Sequence, residues 1–347
     1  MKSVRVNLTE ADFTPVERTF ARYDEFEVRV FRYPLGVAAL RLSNSAGHII
    51  VLPFQGQQIW DAEFHGRRLT MKTVFDQPRP TTDFLNTYGA FLIHCGLTAV
   101  GPASRDDNHP PHGELPNAPF GGAEIEFGED DEGPFASIRG RYIHKLAFHS
   151  DYELSSAITM RPGSGLLKID LSVTNQKRTD MEFMYLAHAN FRASAGADIR
   201  DNSQNISLRN ALPTHVSPSD SYLAMIERLE RDPQTHRRIQ PDDVYDPEVV
   251  LYLNFVDENA WCLAEHEDGT TDVIRWSRAQ MPHAVRWLSR TLDQECLGLA
   301  LPGTAHPVGL KRIRENGQMI VLAGGQAFDW GFELGCLSAN ELREWQR

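Results

Sequence analysis

The stretch Leu167-Lys-Ile-Asp-Leu-Ser-Val-Thr174 alternates large apolar residues with polar ones. A period of two predicts a β-strand with one buried face and one face turned to water. Phe26-Glu-Val-Arg-Val30 repeats the pattern near the start of the chain. Further short apolar runs, many of them separated by Gly, Pro, Asn or Ser turns, lie at 37–42, 48–54, 181–191, 249–255, 296–301 and 319–322.

So many short strands with so few helices predict an all-β protein: a large antiparallel sandwich or barrel with a few short helices. One helix is predicted over 218–231, where four apolar residues share a face. A second is predicted after Ser338, because Glu341 follows at the spacing of a capping box. No stretch demands a domain boundary, so residues 1–347 are predicted to form a single domain.

The composition excludes several classes of partner. The 347 residues carry a net charge of −12, which argues against nucleic acid and against an anionic membrane surface. No secretory signal is visible, and the longest nearly apolar run, 88–100, is too short to span a bilayer. The four cysteines form no CxxC pair. We therefore expect a cytoplasmic protein with reduced thiols, either a monomer or a homodimer.

The densest polar segment is 94–117, which holds three histidines, one arginine, three acidic residues and two asparagines. Its glycines and prolines predict a long ordered loop, the kind of element in which binding groups collect on β scaffolds. A metal site at His109 and His112 is not predicted. Two prolines separate these histidines, and no standard zinc spacing completes a ligand set.

A second candidate histidine lies in the run 181–191. As a strand, this run places His188 on one face with Met184 and Leu186. Such a residue is either a buried core histidine whose nitrogens are hydrogen-bonded, or an acid–base group whose pKa is shifted by desolvation. Trp287 is either a core residue or a stacking platform for a sugar ring. The sequence contains no GxSxG, GxxxxGK[ST] or GxGxxG motif, so serine-hydrolase and nucleotide chemistry are unsupported and no cofactor is predicted.

Four segments, in this order along the chain, resemble the aldose 1-epimerase (galactose mutarotase-like) superfamily and most closely its DUF4432 branch. They span roughly 35–325 and lie at 37–69, at 95–101 with 112–119, at 186–191 and at 297–309. The resemblance implies a galactose mutarotase-like β-sandwich with a sugar site on one sheet. It also implies an isomerase that interconverts sugar anomers by acid–base ring opening. The expected partner is a small sugar or sugar derivative.

The resemblance also implies roles for particular residues. His188 occupies the position of the acid, and His112 would position the ring oxygen or neighbouring hydroxyl groups. The remaining substrate-binding candidates are Asn117, His283, Trp287, His306 and Arg105, the last of which would suit an anionic sugar.

One departure from the family pattern concerns the general base. The family carries a Glu in the late site strand, and the alignment places Ala300 there. Glu114, next but one to His112, is the substitute catalytic carboxylate that we predict. Three functions therefore stay open: a mutarotase with an atypical base, a non-catalytic sugar-binding protein, or a different sugar isomerase or epimerase on the same scaffold.

Overall fold

A computed structural model describes residues 2–209 and 218–346. The strands are β1 (Lys2–Leu8), β2 (Arg18–Tyr23), β3 (Phe26–Arg32), β4 (Ala38–Ser43), β5 (Gly47–Val51), β6 (Ile59–Phe64), β7 (Arg67–Arg68), β8 (Leu92–Leu97), β9 (Gly122–Asp130), β10 (Gly133–Leu146), β11 (Ser150–Met160), β12 (Leu166–Asn175), β13 (Met181–Ala189), β14 (Asp198–Asp201), β15 (Asn205–Leu208), β16 (Tyr245–Asn254), β17 (Asn259–Glu265), β18 (Thr271–Ser277), β19 (His283–Arg290), β20 (Glu295–Gly303), β21 (Ile320–Leu322) and β22 (Ala327–Leu337). The helices are α1 (Asp220–Arg231), α2 (Leu310–Glu315) and α3 (Ala339–Trp345), with short 3₁₀ turns at Glu10–Asp12, Phe84–Asn86 and Pro233–Arg237.

The strands form two antiparallel sheets that pack as a sandwich, as the sequence predicted. The small sheet has nine strands in the order β1-β9-β10-β11-β12-β22-β18-β17-β14. The large sheet has thirteen, in the order β15-β16-β19-β20-β13-β8-β6-β5-β4-β3-β2, with β7 paired to β6 and β21 to β13. The large antiparallel β-sandwich expected from the sequence is therefore confirmed.

The core between the sheets is built from one face of each strand. On β12, Leu167, Ile169 and Val173 are fully buried, whereas Lys168 and Asp170 are exposed. The main hydrophobic cluster draws its members from both sheets in this way. Burial of these alternating side chains is the main force that holds the sandwich together.

The large sheet is buried on its second face as well. On β13, Tyr185 and Ala187 join the main core, while Met184 and Leu186 join a separate hydrophobic cluster. That second cluster draws on the large sheet and its connections. Because successive side chains of a strand point to opposite sides, it lies on the face turned away from the small sheet, called here the outer face.

Both predicted helices are present. α1 begins two residues later than predicted, after the N-cap Ser219, and it buries Tyr222, Met225 and Leu229. α3 starts with the predicted capping box, in which the Ser338 side chain accepts a hydrogen bond from the Glu341 N–H. Within residues 2–209 and 218–346, no helix is long and apolar enough to cross a membrane.

A buried ion pair joins the two sheets. The Arg286 guanidinium on β19 donates a hydrogen bond to the Asp201 carboxylate on β14 at 3.0 Å, and both side chains are completely buried. Arg286 also donates to Leu299 O at 2.8 Å and to His236 Nε2 at 2.6 Å. Arg237 reaches the second Asp201 oxygen at 3.0 Å. Burial opposes ionisation of Asp201, but the two arginines hold its pKa below the ordinary value.

Asp201→Asn should therefore lower the free energy of unfolding by about 3–5 kcal/mol, because it leaves a buried guanidinium without its counter-charge. The matched control is Asp198→Asn, a neighbouring carboxylate whose side chain is 47% exposed in its pair with Arg200. That control should change the free energy by no more than ~0.5 kcal/mol. Urea denaturation at pH 7 measures both values, and equal effects of the two substitutions would contradict the prediction.

Candidate functional site

The outer face of the large sheet carries His188 at the end of β13, with the side chain only 5% exposed. Its Nδ1 lies 2.7 Å from Asn190 Oδ1. The Asn190 amide nitrogen donates to Ala90 O at 2.9 Å, which fixes Oδ1 as an acceptor. Nδ1 of His188 must therefore carry the hydrogen, and in the neutral ring Nε2 presents a lone pair.

His112 comes to the same place from the long loop between β8 and β9. Its N–H donates to Gly101 O at 2.9 Å, and its carbonyl accepts from the Gly96 N–H at 2.9 Å. These bonds hold the loop against the end of β8, with His112 at a φ of 60°. Nδ1 of His112 accepts from the Gly101 N–H at 3.4 Å, so in the neutral ring Nε2 carries the hydrogen.

Aromatic rings surround this histidine pair. The two imidazole centroids are 5.3 Å apart, and the Trp287 ring lies 5.3 Å from His188. Phe84 packs 4.9 Å from His112, and Tyr88 packs edge-on at 5.9 Å from His188. Three residues singled out from the sequence, His112, His188 and Trp287, are thus brought together. Phe84 and Tyr88 were not predicted, since they come from an irregular segment before β8.

Burial keeps both imidazoles neutral. It lowers the pKa of His188 to about 4, although the hydrogen bond to Asn190 acts in the opposite direction. It also holds the pKa of His112 well below the ordinary value, with further lowering from His188 and His109. At neutral pH the site therefore presents one imidazole acceptor, His188 Nε2, beside one imidazole donor, His112 Nε2–H.

Glu248 is a carboxylate at this site that sequence reasoning missed. It lies on β16, and its Oε2 accepts from the Trp287 indole N–H at 2.6 Å. Arg209 donates to its other oxygen at 2.7 Å. Val250 of β16 pairs with Trp287 of β19. Because Glu248 and Val250 are two residues apart on β16, the sequence could have indicated that both lie on the same face of the sheet. Only the pairing of β16 with β19 shows that Trp287 is the neighbour of Glu248.

Glu114, the predicted substitute base, has its hydrogen bonds elsewhere. Its carboxylate accepts from the Leu97 N–H at 3.0 Å and from the Thr98 N–H at 3.3 Å. The hydroxyl groups of Thr98 and Tyr152 also donate to it. In the described parts of the chain, none of its recorded bonds reaches His112 or His188. The carboxylate thus connects the loop to β8 and to the small sheet, and its catalytic role stays a prediction.

For two other predicted residues, no contact with His112 or His188 is recorded within the described parts of the chain. Asn117 is buried, and its Oδ1 accepts from the side chains of Gln58 at 2.8 Å and Gln55 at 3.1 Å. It therefore anchors the loop. Arg105 is exposed on that loop. Their assignment to substrate binding stays a prediction.

His283 and His306 form a second pair, with ring centroids 4.5 Å apart. Tyr252 packs 4.7 Å from His306. His283 shares the outer-face side of β19 with Trp287, since residues 283, 285 and 287 alternate with the core residues Ala284 and Leu288. The pair therefore lies on the same face as the His112–His188 pair but farther along the strand.

Ala300, aligned with the family's glutamate, belongs to the core between the sheets. The reason is a bulge: Val285 pairs with Leu301, but Trp287 pairs with Gly298, so β20 has one extra residue. Leu299 and Ala300 both join the main core, whereas Cys296 and Leu301 join the outer-face cluster. The side chain of residue 300 therefore does not face the histidines.

Within residues 2–209 and 218–346, no group of three or more His, Cys, Asp or Glu side chains is placed so that it could hold a metal ion.

Comparison with known proteins agrees with this architecture. A family model described as a domain of unknown function, DUF4432, matches residues 35–335. A candidate aldose 1-epimerase from Klebsiella pneumoniae superposes with a TM-score of 0.82 at 16% identity, covering 99% of this chain and 94% of its own. A galactose mutarotase-like protein from Clostridium acetobutylicum gives 0.62 at 13% identity, covering 90% and 99%. A candidate aldose 1-epimerase from Escherichia coli gives 0.54 at 16% identity, covering 86% and 98%.

No curated protein matches the sequence. At identities this low, the structural likeness establishes the fold alone.

Placing a carboxylate at residue 300 should damage the core rather than supply a base. We expect Ala300→Glu to lower the free energy of unfolding at pH 7 by about 3–5 kcal/mol, because the charge has no partner there. Ala300→Gln is the matched control, with nearly the same volume and no charge. Urea denaturation should show the Glu variant approaching the Gln variant in stability at pH 5. A Glu variant as stable as the wild type at pH 7 would mean that residue 300 reaches solvent.

Proposed function

The chain belongs to the DUF4432 family, and we propose that it is an aldose 1-epimerase, an isomerase that interconverts sugar anomers by ring opening. The supporting observation is the neutral pair formed by His188 and His112, with acceptor and donor nitrogens fixed by separate hydrogen bonds. A hemiacetal carries a hydroxyl group and a ring oxygen on one carbon, so its opening needs both a proton acceptor and a hydrogen-bond donor.

In the proposed reaction, His188 Nε2 takes the proton of the anomeric hydroxyl. As the C1=O bond forms, the bond from C1 to the ring oxygen breaks, and the electron pair goes to that oxygen. His112 Nε2–H stabilises the developing negative charge by a hydrogen bond. The His188 imidazolium then returns its proton to the former ring oxygen. Rotation about C1–C2 and the reverse steps close the ring on the other face.

This sequence of steps changes the role that the resemblance implies for His188. A histidine with a pKa near 4 is neutral before the reaction starts, so it acts first as a base. It becomes the acid only after it has taken the hydroxyl proton. Because both oxygens are bonded to C1, a single imidazole can serve both in turn, and no glutamate at position 300 is required.

Trp287 is the proposed floor of the sugar site. Its indole N–H is held by Glu248, and its ring lies 5.3 Å from His188. Tyr88 packs 6.3 Å from Trp287 on the same face. Aromatic rings present an apolar surface to the C–H face of a pyranose, while the histidines offer hydrogen bonds to its oxygens.

Removal of either ring should slow anomer exchange. His188→Gln and His112→Gln are each expected to reduce the rate by about 10²–10⁴-fold, the contribution of a positioned proton-transfer group. Saturation-transfer NMR on a panel of aldoses and sugar acids measures the exchange directly. His149→Gln, at an exposed histidine on the β10–β11 turn of the small sheet, is the matched control and should leave the rate unchanged.

The outcomes separate the open functions. An unchanged exchange rate in His188→Gln would contradict the assignment of the base. Binding of a sugar without any exchange would favour a non-catalytic sugar-binding protein. Conversion of a sugar into a different isomer would favour another isomerase.

The pH dependence of catalysis provides an independent test. Since burial lowers the pKa of His188 to about 4, the neutral form is complete above pH 5 and is lost as the pH falls through about 4. We expect kcat/KM to be constant from pH 6 to 8 and to fall about tenfold per pH unit below pH 4. Tryptophan fluorescence would confirm that the protein stays folded at each pH. Half-loss of kcat/KM near pH 6.5 would indicate an ordinary, solvated histidine instead.

A further inference from the structure

The face of the small sheet that is turned away from the core carries a groove with no part in the proposed reaction. Its volume is about 510 Å³, within the range of roughly 300–1,000 Å³ that is common for small-molecule sites. Its side chains alternate with the core residues of their strands, so it lies on the opposite side of the sandwich from His112 and His188. It is called here the small-sheet groove, and its lining includes Ser155, Ala157, Asp170, Ser172, Asp329 and Gly331.

The register of the strands explains why the surface is hollow at this place. Ala157 of β11 and Gly331 of β22 flank Asp170 of β12 in one row across the sheet. In the next row, the long side chains of Lys168 and Glu333 stand side by side. A low row therefore lies beside a high one. A Cβ atom at residue 331 would lie 2.9 Å from a backbone oxygen of β12, so this low position is suited to glycine.

A break in the strand pairing adds a hydrogen-bond donor to the groove. The pairing of β18 with β22 ends at Trp276 and Phe332. The N–H of the next residue, Gly331, donates instead to the side-chain oxygen of Gln280 at 3.2 Å. Gln280 lines the groove, and because its oxygen is engaged, it offers its amide nitrogen as a donor.

Three side chains with unused hydrogen-bonding capacity form one row across the groove. Ser155 pairs with Ser172, and Ser172 pairs with Asp329 on the third strand. Within residues 2–209 and 218–346, no hydrogen bond or ion pair is recorded for these three side chains. Neighbouring strands are about 4.8 Å apart, so the row spans roughly 10 Å. A single hydroxyl-bearing ring can therefore contact all three.

The groove contains one charge that is not compensated. Its three basic side chains each pair with a carboxylate: Lys168 with Asp170 at 3.5 Å, Arg275 with Glu333 at 2.5 Å, and Arg139 with Glu126. Asp329 is the charged lining residue for which no ion pair is recorded in the described parts of the chain, and it is exposed. A ligand therefore gains from one positive charge beside Asp329, whereas a phosphate would meet cations that are already engaged.

The groove offers little apolar surface to a ligand. Trp276, Trp330 and Phe332 line it, but each is at most 3% exposed, because these side chains point into the core. The groups that a ligand can reach are hydroxyls, amides and charged side chains. The lining therefore favours a ligand rich in hydroxyl groups over an aromatic or aliphatic one.

We propose that the small-sheet groove binds a hydroxyl-rich organic monocation, namely an amino sugar. The ammonium group lies against the Asp329 carboxylate, and the hydroxyl groups bond to Ser155, Ser172 and the Gln280 amide. The groove and the histidine pair lie on opposite sides of the sandwich, so this inference does not depend on the proposed function.

The test follows the backbone amide signals of the isotope-labelled protein by NMR while glucosamine is added at pH 6.0, where its amine is charged. We expect saturable shifts of the Ser172, Asp329 and Gly331 signals. N-acetylglucosamine keeps the ring but has no charge, so it should bind about fivefold more weakly at these signals, the contribution of one exposed ion pair. Ethanolamine keeps the ammonium group but lacks the ring, and it should also bind more weakly.

Variants assign the two contributions to residues. Asp329→Asn should remove the preference for glucosamine over N-acetylglucosamine, and Ser172→Ala should weaken the binding of both sugars by the same factor. Asp131→Asn, at an exposed carboxylate in the turn between β9 and β10, is the matched control and should leave the preference intact. Unchanged amide signals elsewhere in each variant would confirm that it is folded.

Several results would overturn the inference. One is the absence of saturable shifts at the three groove signals, and another is equal affinity of the wild type for glucosamine and either comparison ligand. A preference for glucosamine that persists in Asp329→Asn would do so as well, as would tighter binding of glucosamine 6-phosphate than of glucosamine. Groove binding in a protein without anomer exchange would support the groove while refuting the proposed catalysis, so the two failures are distinguishable.

Discussion

The arrangement of the site depends on one constraint, the burial of both faces of the large sheet. Alternate residues of β13 enter two different apolar environments: Tyr185 and Ala187 lie between the sheets, and Met184 and Leu186 lie on the outer face. A shift of register by one residue would exchange the two sets. The same alternation carries His188 to the outer face and, on β19, directs Trp287 outward and Arg286 inward. The position of each polar side chain thus follows from the packing of its apolar neighbours.

This constraint explains which parts of the structure could be predicted from the sequence. A strict period of two was visible at 167–173 and correctly predicted a strand with one buried face. It also placed His188 beside Met184 and Leu186, which the structure confirms. The capping box at Ser338 identified α3, because that signal depends only on residues three positions apart.

The residues that escaped prediction depend on contacts between distant segments. Ala300 faces the core because β20 contains a bulge, and nothing in the local sequence reveals the register shift. Glu114 stands next but one to His112 in sequence, yet its carboxylate binds Thr98 and Tyr152, 38 residues away. Glu248 meets Trp287 only through the pairing of β16 with β19. Hydrogen-bond partners of this kind are set by register and loop packing, so a linear pattern could not supply them.

The location of charge has a consequence for the chemistry of the outer face. The chain has 47 acidic residues, but the carboxylate that contacts Trp287, Glu248, is held by Arg209 and the Trp287 indole. A free carboxylate placed beside His188 would raise the pKa of that histidine and favour its protonated form. Asn190 offers an acceptor without a charge, so it fixes the Nδ1–H tautomer while burial keeps the ring neutral. In the proposed reaction, a neutral imidazole with a fixed lone pair is the form that can accept the anomeric proton. The use of an amide rather than a carboxylate to orient His188 is therefore consistent with a site that relies on this histidine as its base.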